Sequence, residues 1–366
     1  MSMPMKPDGI EVVATVDDAH RLPLPPLLIV DEVQQYLDRE GLGRGPIEWS
    51  RIGDGQSNIT YRIRRGDDQF VLRRGPRPPH PRSAHDMVRE ARIQALLGGA
   101  GVPVPRILAI CEDESVLGVP FYVMEYLDGV VITDQLPRGL DDDADRPAIA
   151  FAAIDSLIAL HRVDVSSGPL AEFGRRDGYL RRQVTRFGSL WEQNSRRGLA
   201  DVALIGRWLS DHLPESQAVT VVHGDYRIGN LMFSAGRPAR VSAILDWEMA
   251  TLGDPLADLG YLTATYSVPG GIATPMDLTT VTREPGFPSR AHLVERYQKS
   301  MKLDLSDLGW YQALALWKAA IFCEAMYTRW LDGERPGDTT FAPTLGLGIP
   351  ALLEAAKSVG GIPDHH

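Results

Sequence analysis

Only two cysteines, Cys111 and Cys323, occur among the 366 residues. Two lone thiols give neither a disulfide framework nor a cysteine metal spacing, which points to a reducing compartment and buried thiols. The opening residues, Met1-Ser2-Met3-Pro4-Met5-Lys6-Pro7-Asp8, lack an apolar core followed by a small-residue cleavage site, so no secretory leader is expected. No apolar stretch reaches bilayer length. The most apolar one, around Ala313 to Met326, is short and broken by Lys318 and Glu324. A cytoplasmic protein with no membrane partner is therefore expected. No internal repeat is visible, and the absence of a G-x-S-x-G elbow removes one signature of serine hydrolases. Basic residues are outnumbered, 38 Lys and Arg against 48 Asp and Glu, for a net charge of −10; no nucleic-acid partner is expected of such a molecule. What remains is ordinary globular material, 44% hydrophobic and 23% charged, long enough for two domains or one two-lobed domain.

The most informative stretch is His223-Gly224-Asp225-Tyr226-Arg227-Ile228-Gly229-Asn230, followed by Ile244-Leu245-Asp246-Trp247-Glu248. The β-branched run Ala218 to Val222 before it reads as a buried strand. Leu231-Met232-Phe233 and Val241 to Leu245, joined by a turn-like Ser234-Ala235-Gly236-Arg237-Pro238, read as a hairpin that carries Asp246 back beside Asp225 and Asn230. Two carboxylates and an amide brought together suit a Mg²⁺-nucleotide site, one Asp accepting a hydroxyl proton while the other Asp and the Asn supply hard oxygen ligands.

The pattern H-x-D-x-[KR]-x-x-N resembles the catalytic loop of the protein-kinase-like fold. Gly224 and the later Leu245-Asp246-Trp247-Glu248 make the chain similar to the aminoglycoside phosphotransferase and choline kinase branch. Within that branch it most resembles the kinase-like domain fused to some acyl-CoA dehydrogenases, over about residues 30 to 335. The resemblance implies an α+β, two-lobed fold. A flexible tail at 1–26 would precede a small lobe at 27–127, with an antiparallel sheet and a helix, and a larger, mainly helical lobe at 128–366. It implies ATP and Mg²⁺, with Asp225 as base, Arg227 beside the transferring group, and Asn230 and Asp246 on the metal. His223 would hold the loop, and Asp258, in Gly253-Asp254-Pro255-Leu256-Ala257-Asp258, would anchor its N–H groups without a chemical role.

Upstream, Asp31 reads as the N-cap of a helix holding Val33, Tyr36 and Leu37. Strand candidates Ile47–Ile52 and Ile59–Ile63 flank the loop Gly53-Asp54-Gly55-Gln56-Ser57-Asn58. Alone, that loop reads equally as a plain hairpin turn or as a flap laying N–H groups over phosphates. The resemblance favours the flap and marks Gly53, Gly55, Ser57 and Asn58. The third strand, Gln69 to Arg74, puts Arg73 where the fold usually carries a phosphate-binding Lys, a departure that keeps charge but not shape. A strand-end Arg is the plainer alternative. Between Tyr61 and Glu90 eight Arg face four acids, either a solvated basic face or a phosphate-facing one. The helix from about Met87 carries Glu90 where the fold places the cation's partner. Strands are expected at Val102–Ile110 and Pro120–Tyr126. The second ends where adenine would meet the Glu125 carbonyl and the Leu127 N–H, with Met124 behind.

Beyond residue 128 the spacing is helical: Ala150, Ala153, Ile154, Leu157, Ile158 and His161, then one or two helices in 176–213 with Leu180, Phe187, Leu190 and Trp191 inward. Residues 266–290 read as a substrate-side loop, and two helices, around His292–Met301 and Leu308–Leu331, close the chain. The expected activity is transfer of the ATP γ-phosphate to a hydroxyl of a small molecule, aminoglycoside-like or hydroxyacyl-CoA-like. A nucleotide-binding pseudokinase is the alternative. The acceptor and the oligomeric state have no motif to read.

Overall fold

The computed structural model describes residues 11–53, 58–77, 85–334 and 337–363. The chain divides into two compact units, Met1–Leu127 and Asp128–His366, and belongs to the protein-kinase-like fold class: a smaller unit built on an antiparallel sheet and a larger, mainly helical one.

In the first unit β1 (Val12–Val13) and helix α1 (Val16–His20) lead to β2 (Leu28–Ile29) and α2 (Val30–Arg39). β1 and β2 pair in parallel, and Leu27 and Leu28 N–H both donate to the Glu11 carbonyl. The described part of the expected flexible tail at 1–26 is thus corrected: residues 11–21 form a strand and a capped helix, because Leu27 and Leu28 are core residues. Asp31 is also corrected. It lies inside the first turn of α2, whose N-cap is Ile29.

A five-stranded, wholly antiparallel sheet follows, with β3 (Glu48–Arg51), β4 (Ile59–Arg65) and β5 (Asp68–Arg74), then α3 (Met87–Gly99), β6 (Ile107–Cys111), a short α4 (Glu114–Leu117) and β7 (Phe121–Glu125). The spatial order is β3-β4-β5-β7-β6. Sequence alone extended β6 back to Val102, but Pro103 and Pro105 have no N–H to give a ladder. Side chains alternate across a strand, and β5 shows the consequence. Phe70 and Leu72 enter the core with α2, Tyr61 and Phe121, whereas Val71 packs with Met87, Ala91, Tyr122 and Met124 beneath α3. Arg73 therefore shares the α3 face and Arg74 the opposite one. Arg74 is buried at 1% exposure, its guanidinium donating to the carbonyls of Gly75, Leu27 and Leu117. Burial lowers its pKa to about 10.

The second unit begins with β8 (Val130–Val131) and runs through α5 (Asp145–His161), α6 (Gly168–Ala171), α7 (Tyr179–Asn194) and α8 (Ala200–Asp211). Then come β9 (Thr220–Val222), β10 (Leu231–Phe233), β11 (Val241–Ile244), β12 (Thr251–Gly253), α9 (Leu256–Thr265), α10 (Arg290–Met301), α11 (Leu308–Leu331) and α12 (Leu345–Gly360). In α7, Leu180 and Phe187 are buried as expected, but Leu190 and Trp191 are only half-buried. α11 is the hub of this unit, packed against α7, α8, α9 and α12. α12 was not expected. Gly346, Gly348 and Pro350 are poor helix formers, and packing overrides them, since Leu345, Ile349, Leu352, Leu353 and Ala356 are all buried. Among the described residues no helix is long and apolar enough to cross a membrane.

Candidate active site

The catalytic-loop residues are placed by a short chain of causes. β9 is buried throughout, paired to β12 with Val222 opposite Thr251. It delivers His223 to the foot of the loop. There Asp258, in the first turn of α9 and fully buried, accepts from His223 N–H at 2.7 Å and from Gly224 N–H at 2.8 Å. A carboxylate taking two backbone donors fixes both peptide planes. Gly224 has φ +90° and its Cβ would stand 2.8 Å from Met249 Cβ, so only glycine fits the bend. His223 Nδ1 accepts from Asp225 N–H at 3.2 Å, and Nε2 donates to the Leu245 carbonyl at 2.9 Å. That pairing needs the neutral ring with its proton on Nε2. The imidazole is wholly buried between Tyr226 and Trp247, so it holds the loop and faces no ligand.

Burial works against the charge on Asp258, but the hydrogen bond from His161, the field of His161 and the Gly224 N–H together hold its pKa below the ordinary carboxyl value. His161 itself is a buried core residue, bonded also to the Tyr297 hydroxyl at 2.7 Å. A folded-state pKa below the unfolded 3.8 means this stabilisation is complete above about pH 4 and drains away as pH falls through the depressed value. Asp258→Asn is therefore expected to lower the melting temperature at neutral pH, with the gap to the wild type closing in acid. A gap that stays constant from pH 7 to pH 3 would show that Asp258 is not the charged anchor.

The 3₁₀ turn Ile228–Asn230 then swings Asn230 back. Its Nδ2 donates to the Asp225 main-chain carbonyl at 2.9 Å and to Asp225 Oδ2 at 2.8 Å. Arg227 Nε lies 3.8 Å from Asp225 Oδ1. Arg227 is folded over Gly229, where any Cβ would collide with its Nη1 and come within 3.4 Å of Thr279 Oγ1. The hairpin forms, β10 antiparallel to β11 with Leu231 opposite Ile244, and Leu245 N–H donates to the Asn230 carbonyl at 2.9 Å. Asp246 follows directly with φ +67°, a left-handed conformation in a non-glycine residue. Such strain is tolerated where surroundings over-determine it and is common at ligand sites.

Two residues here were not read from the sequence. Burial of Tyr261 on α9, and then the charge of Asp225, push its hydroxyl pKa well above the usual phenol value, so the phenol stays protonated. Lys318 of α11 lies in the field of Asp225 and Asp258. Tyr261 closes the run from Gly253 that begins α9, whereas Lys318 lies on a helix distant in sequence and in no local motif.

In the first unit, Arg73 Nε is 3.0 Å from Glu90 Oε1, and the Tyr122 hydroxyl donates to the same oxygen at 3.1 Å. Glu90 is 2% exposed, placed by α3 over the face that β5 and β7 share, where Arg73 and Tyr122 are cross-strand partners. Gly53 has φ +75°, a conformation that favours glycine. Asn58 is buried and its Oδ1 meets His85 Nδ1 at 2.9 Å, tying the end of the loop to the start of α3. Gly55 and Ser57 lie outside the described residues. Met124 packs in the cluster under α3, and Gln94 Nε2 approaches its sulfur at 3.6 Å. Glu125 ends β7, its side chain accepting from Arg106 N–H at 2.8 Å, and Leu127 ends the unit.

The geometry matches known proteins. A family model described as phosphotransferase enzyme family matches residues 48–293. The chain belongs to the phosphotransferase enzyme family. Relatives of this phosphotransferase include mouse acyl-CoA dehydrogenase family member 10, 35% identical over 84% of this chain and 29% of that protein. Chicken acyl-CoA dehydrogenase family member 11 is 33% identical over 81% of this chain and 38% of that protein. The chain thus spans about a third of the length of these relatives. Among solved structures, a Ralstonia eutropha protein provisionally assigned as an aminoglycoside phosphotransferase is 29% identical, covering 90% of this chain and 98% of its own, with a TM-score of 0.73. The spectinomycin phosphotransferase APH(9)-Ia, solved with ADP and spectinomycin, covers 90% of this chain and 98% of its own at 12% identity and a TM-score of 0.58, a likeness of fold.

Proposed function

We propose that this phosphotransferase moves the γ-phosphate of ATP, with Mg²⁺, to a hydroxyl of a small molecule. The observation that carries the reading is the orientation of Asn230. Its amide nitrogen is committed twice to Asp225, so its carbonyl oxygen points the other way. The Leu245–Asn230 backbone hydrogen bond holds the segment that carries Asp246 beside this turn, which supports Asp246 as the second oxygen ligand. Two hard oxygens on one side of the loop fit a magnesium ion, which prefers few protein carboxylates plus phosphate and water. When bound, the metal would neutralise phosphate charge.

The remaining work falls to the chain's own side chains. The acceptor oxygen attacks the γ-phosphorus, the bond to the bridging oxygen of ADP breaks, and the hydroxyl proton passes to Asp225. Asn230 fixes one oxygen of that carboxylate and leaves Oδ1, buried beside Arg227, to orient the hydroxyl. Arg227, braced over Gly229, offers a positive charge to the transferring group.

In the first unit Arg73 takes the phosphate-binding role and Glu90 holds it, with the Glu125 carbonyl and Leu127 N–H for adenine, Met124 behind it, and the Gly53–Asn58 loop over the phosphates. Arg74 has no share in this, being buried on the other face of the sheet. Arg73→Ala is expected to weaken ATP binding by about 10- to 100-fold, the loss of charge-assisted hydrogen bonds. Arg73→Lys should restore only part, because an ammonium cannot span carboxylate and phosphate with one planar fork. Glu90→Ala should act in the same direction and more weakly. The reading as a whole is tested by calorimetric titration of ATP with and without Mg²⁺. Magnesium-dependent binding supports it, and binding indifferent to both Mg²⁺ and Arg73 would leave the pseudokinase reading in its place.

A further inference from the structure

The segment that follows α9, residues 266–290, forms one side of a cavity of about 160 Å³ in the second unit. Val268 and Ile272 of that segment, Leu316 of α11 and Val359 of α12 give the cavity apolar walls. Its wall reaches the surface at Ile272, which is 54% exposed. The segment is fastened in place. The Ser267 hydroxyl donates to Asp277 Oδ1 at 2.7 Å, and the Thr274 N–H donates to Oδ2 at 2.9 Å. Pro275 packs so closely on α12 that a Cβ at Gly348 would stand 2.4 Å from its Cγ.

Two arginines and one carboxylate also line the cavity. Arg283 Nη2 lies 2.7 Å from Asp277 Oδ2, so that pair neutralises itself. Arg290 is the surplus charge. Its Nε and Nη2 donate to the Tyr266 carbonyl at 2.9 and 2.7 Å, at the C-terminal end of α9. Among the described residues no carboxylate comes within ion-pair distance of Arg290, and its Nη1 has no hydrogen-bond partner. The side chain is half-buried, and that burial works against its charge. The helix dipole of α9 offsets part of the cost. An anion at the open edge of the guanidinium would offset more, because a cation beside apolar walls is costly until paired.

We propose that this cavity binds a small organic anion, its carboxylate on Arg290 and its hydrocarbon portion against Leu316 and Val359. An engineered apolar cavity of about 150 Å³ holds benzene, which sets the size of that portion. The site stands independently of the phosphotransfer reading, since no catalytic-loop residue lines the cavity. Its occupant would nevertheless brace a segment that touches that loop. Thr279 Oγ1 stands 3.4 Å from where a Gly229 Cβ would lie, and Val281 N–H donates to the Thr133 carbonyl at 3.2 Å.

Titration of the full chain with 4-fluorobenzoate and with neutral 4-fluorobenzamide, followed by fluorine NMR, tests the site. The benzoate is expected to bind saturably and about tenfold tighter than the amide, as one charge-assisted hydrogen bond gives. Arg290→Gln removes the charge but keeps an N–H for the Tyr266 carbonyl, and should bring the two ligands to equal affinity. Ala355→Leu fills the cavity from α12 while leaving Arg290 and its bonds to α9 intact. It should abolish binding of both ligands with the melting temperature preserved. Saturating benzoate should also slow hydrogen exchange within 266–290. No saturable binding of the benzoate, equal affinities for the two ligands in wild type, or binding unchanged in Ala355→Leu would overturn the proposal.

Discussion

Asp225→Ala is expected to remove phosphoryl transfer almost entirely while leaving Mg²⁺-ATP binding close to that of the wild type. The loss of a positioned base costs about 10²- to 10⁴-fold, and that is the role proposed for Asp225. Asp225 Oδ2 is fixed by Asn230 at 2.8 Å and its N–H is held by His223. None of these partners is supplied by nucleotide, so the carboxylate is orientated before any ligand arrives. The upper part of the range is expected for that reason. Asp225→Asn should be nearly as damaging, since the amide keeps the shape but cannot take the proton. Single-turnover rates with a confirmed acceptor distinguish this from a binding defect. Wild-type turnover by Asp225→Ala would end the assignment.

The second large effect is expected at Asp246. Asp246→Ala should abolish the Mg²⁺-dependent component of nucleotide affinity and do so more severely than Asn230→Ala, because it removes a charge as well as an oxygen. The two are not simply additive. Asn230→Ala also releases Asp225 from two hydrogen bonds, so it should lower kcat beyond its effect on binding, whereas Asp246→Ala should act first through the metal. The left-handed backbone at Asp246, φ +67°, adds a control. Asp246→Gly relieves that conformation and should be more stable than Asp246→Ala yet equally poor in Mg²⁺-dependent binding. Equal ATP affinities in wild type and Asp246→Ala, with magnesium present, would show that the metal is held elsewhere.

The parts of the site that sequence reasoning reached are the parts written in consecutive residues. Asp225 and Asn230 stand five apart on one turn, and the hairpin that returns Asp246 is announced by two short apolar runs around a turn-like segment. The kinase-like fold was legible for the same reason, since the strands of the first sheet alternate cleanly and the longest helices keep their periodicity. What stayed hidden depends on contacts between elements remote in sequence. Lys318 belongs to α11, remote in sequence from the catalytic loop, and nothing near it marks it. Asp258 was visible as an anchor because it lies in a recognisable run after the catalytic hairpin. α12 was hidden by Gly346, Gly348 and Pro350, whose weak propensities are outweighed by burial against α11. Residues 11–21 looked like tail because their polar, proline-bounded sequence conceals the pairing of β1 with β2. Asn58 sits at the position expected for the phosphate loop, but its side chain bonds to His85, a partner no local pattern suggests.

Phosphorus NMR of the protein with Mg²⁺-ATP and a panel of hydroxylated acceptors, aminoglycosides and hydroxyacyl-CoA thioesters first, beside an Asp225→Ala control, tests the central claim most directly. The phosphotransfer account predicts that ATP signals give way to ADP and a new phosphate-monoester signal with wild type, and that the ester is absent with Asp225→Ala. ATP left intact by wild type across that panel, or ADP formed with inorganic phosphate alone, would contradict it.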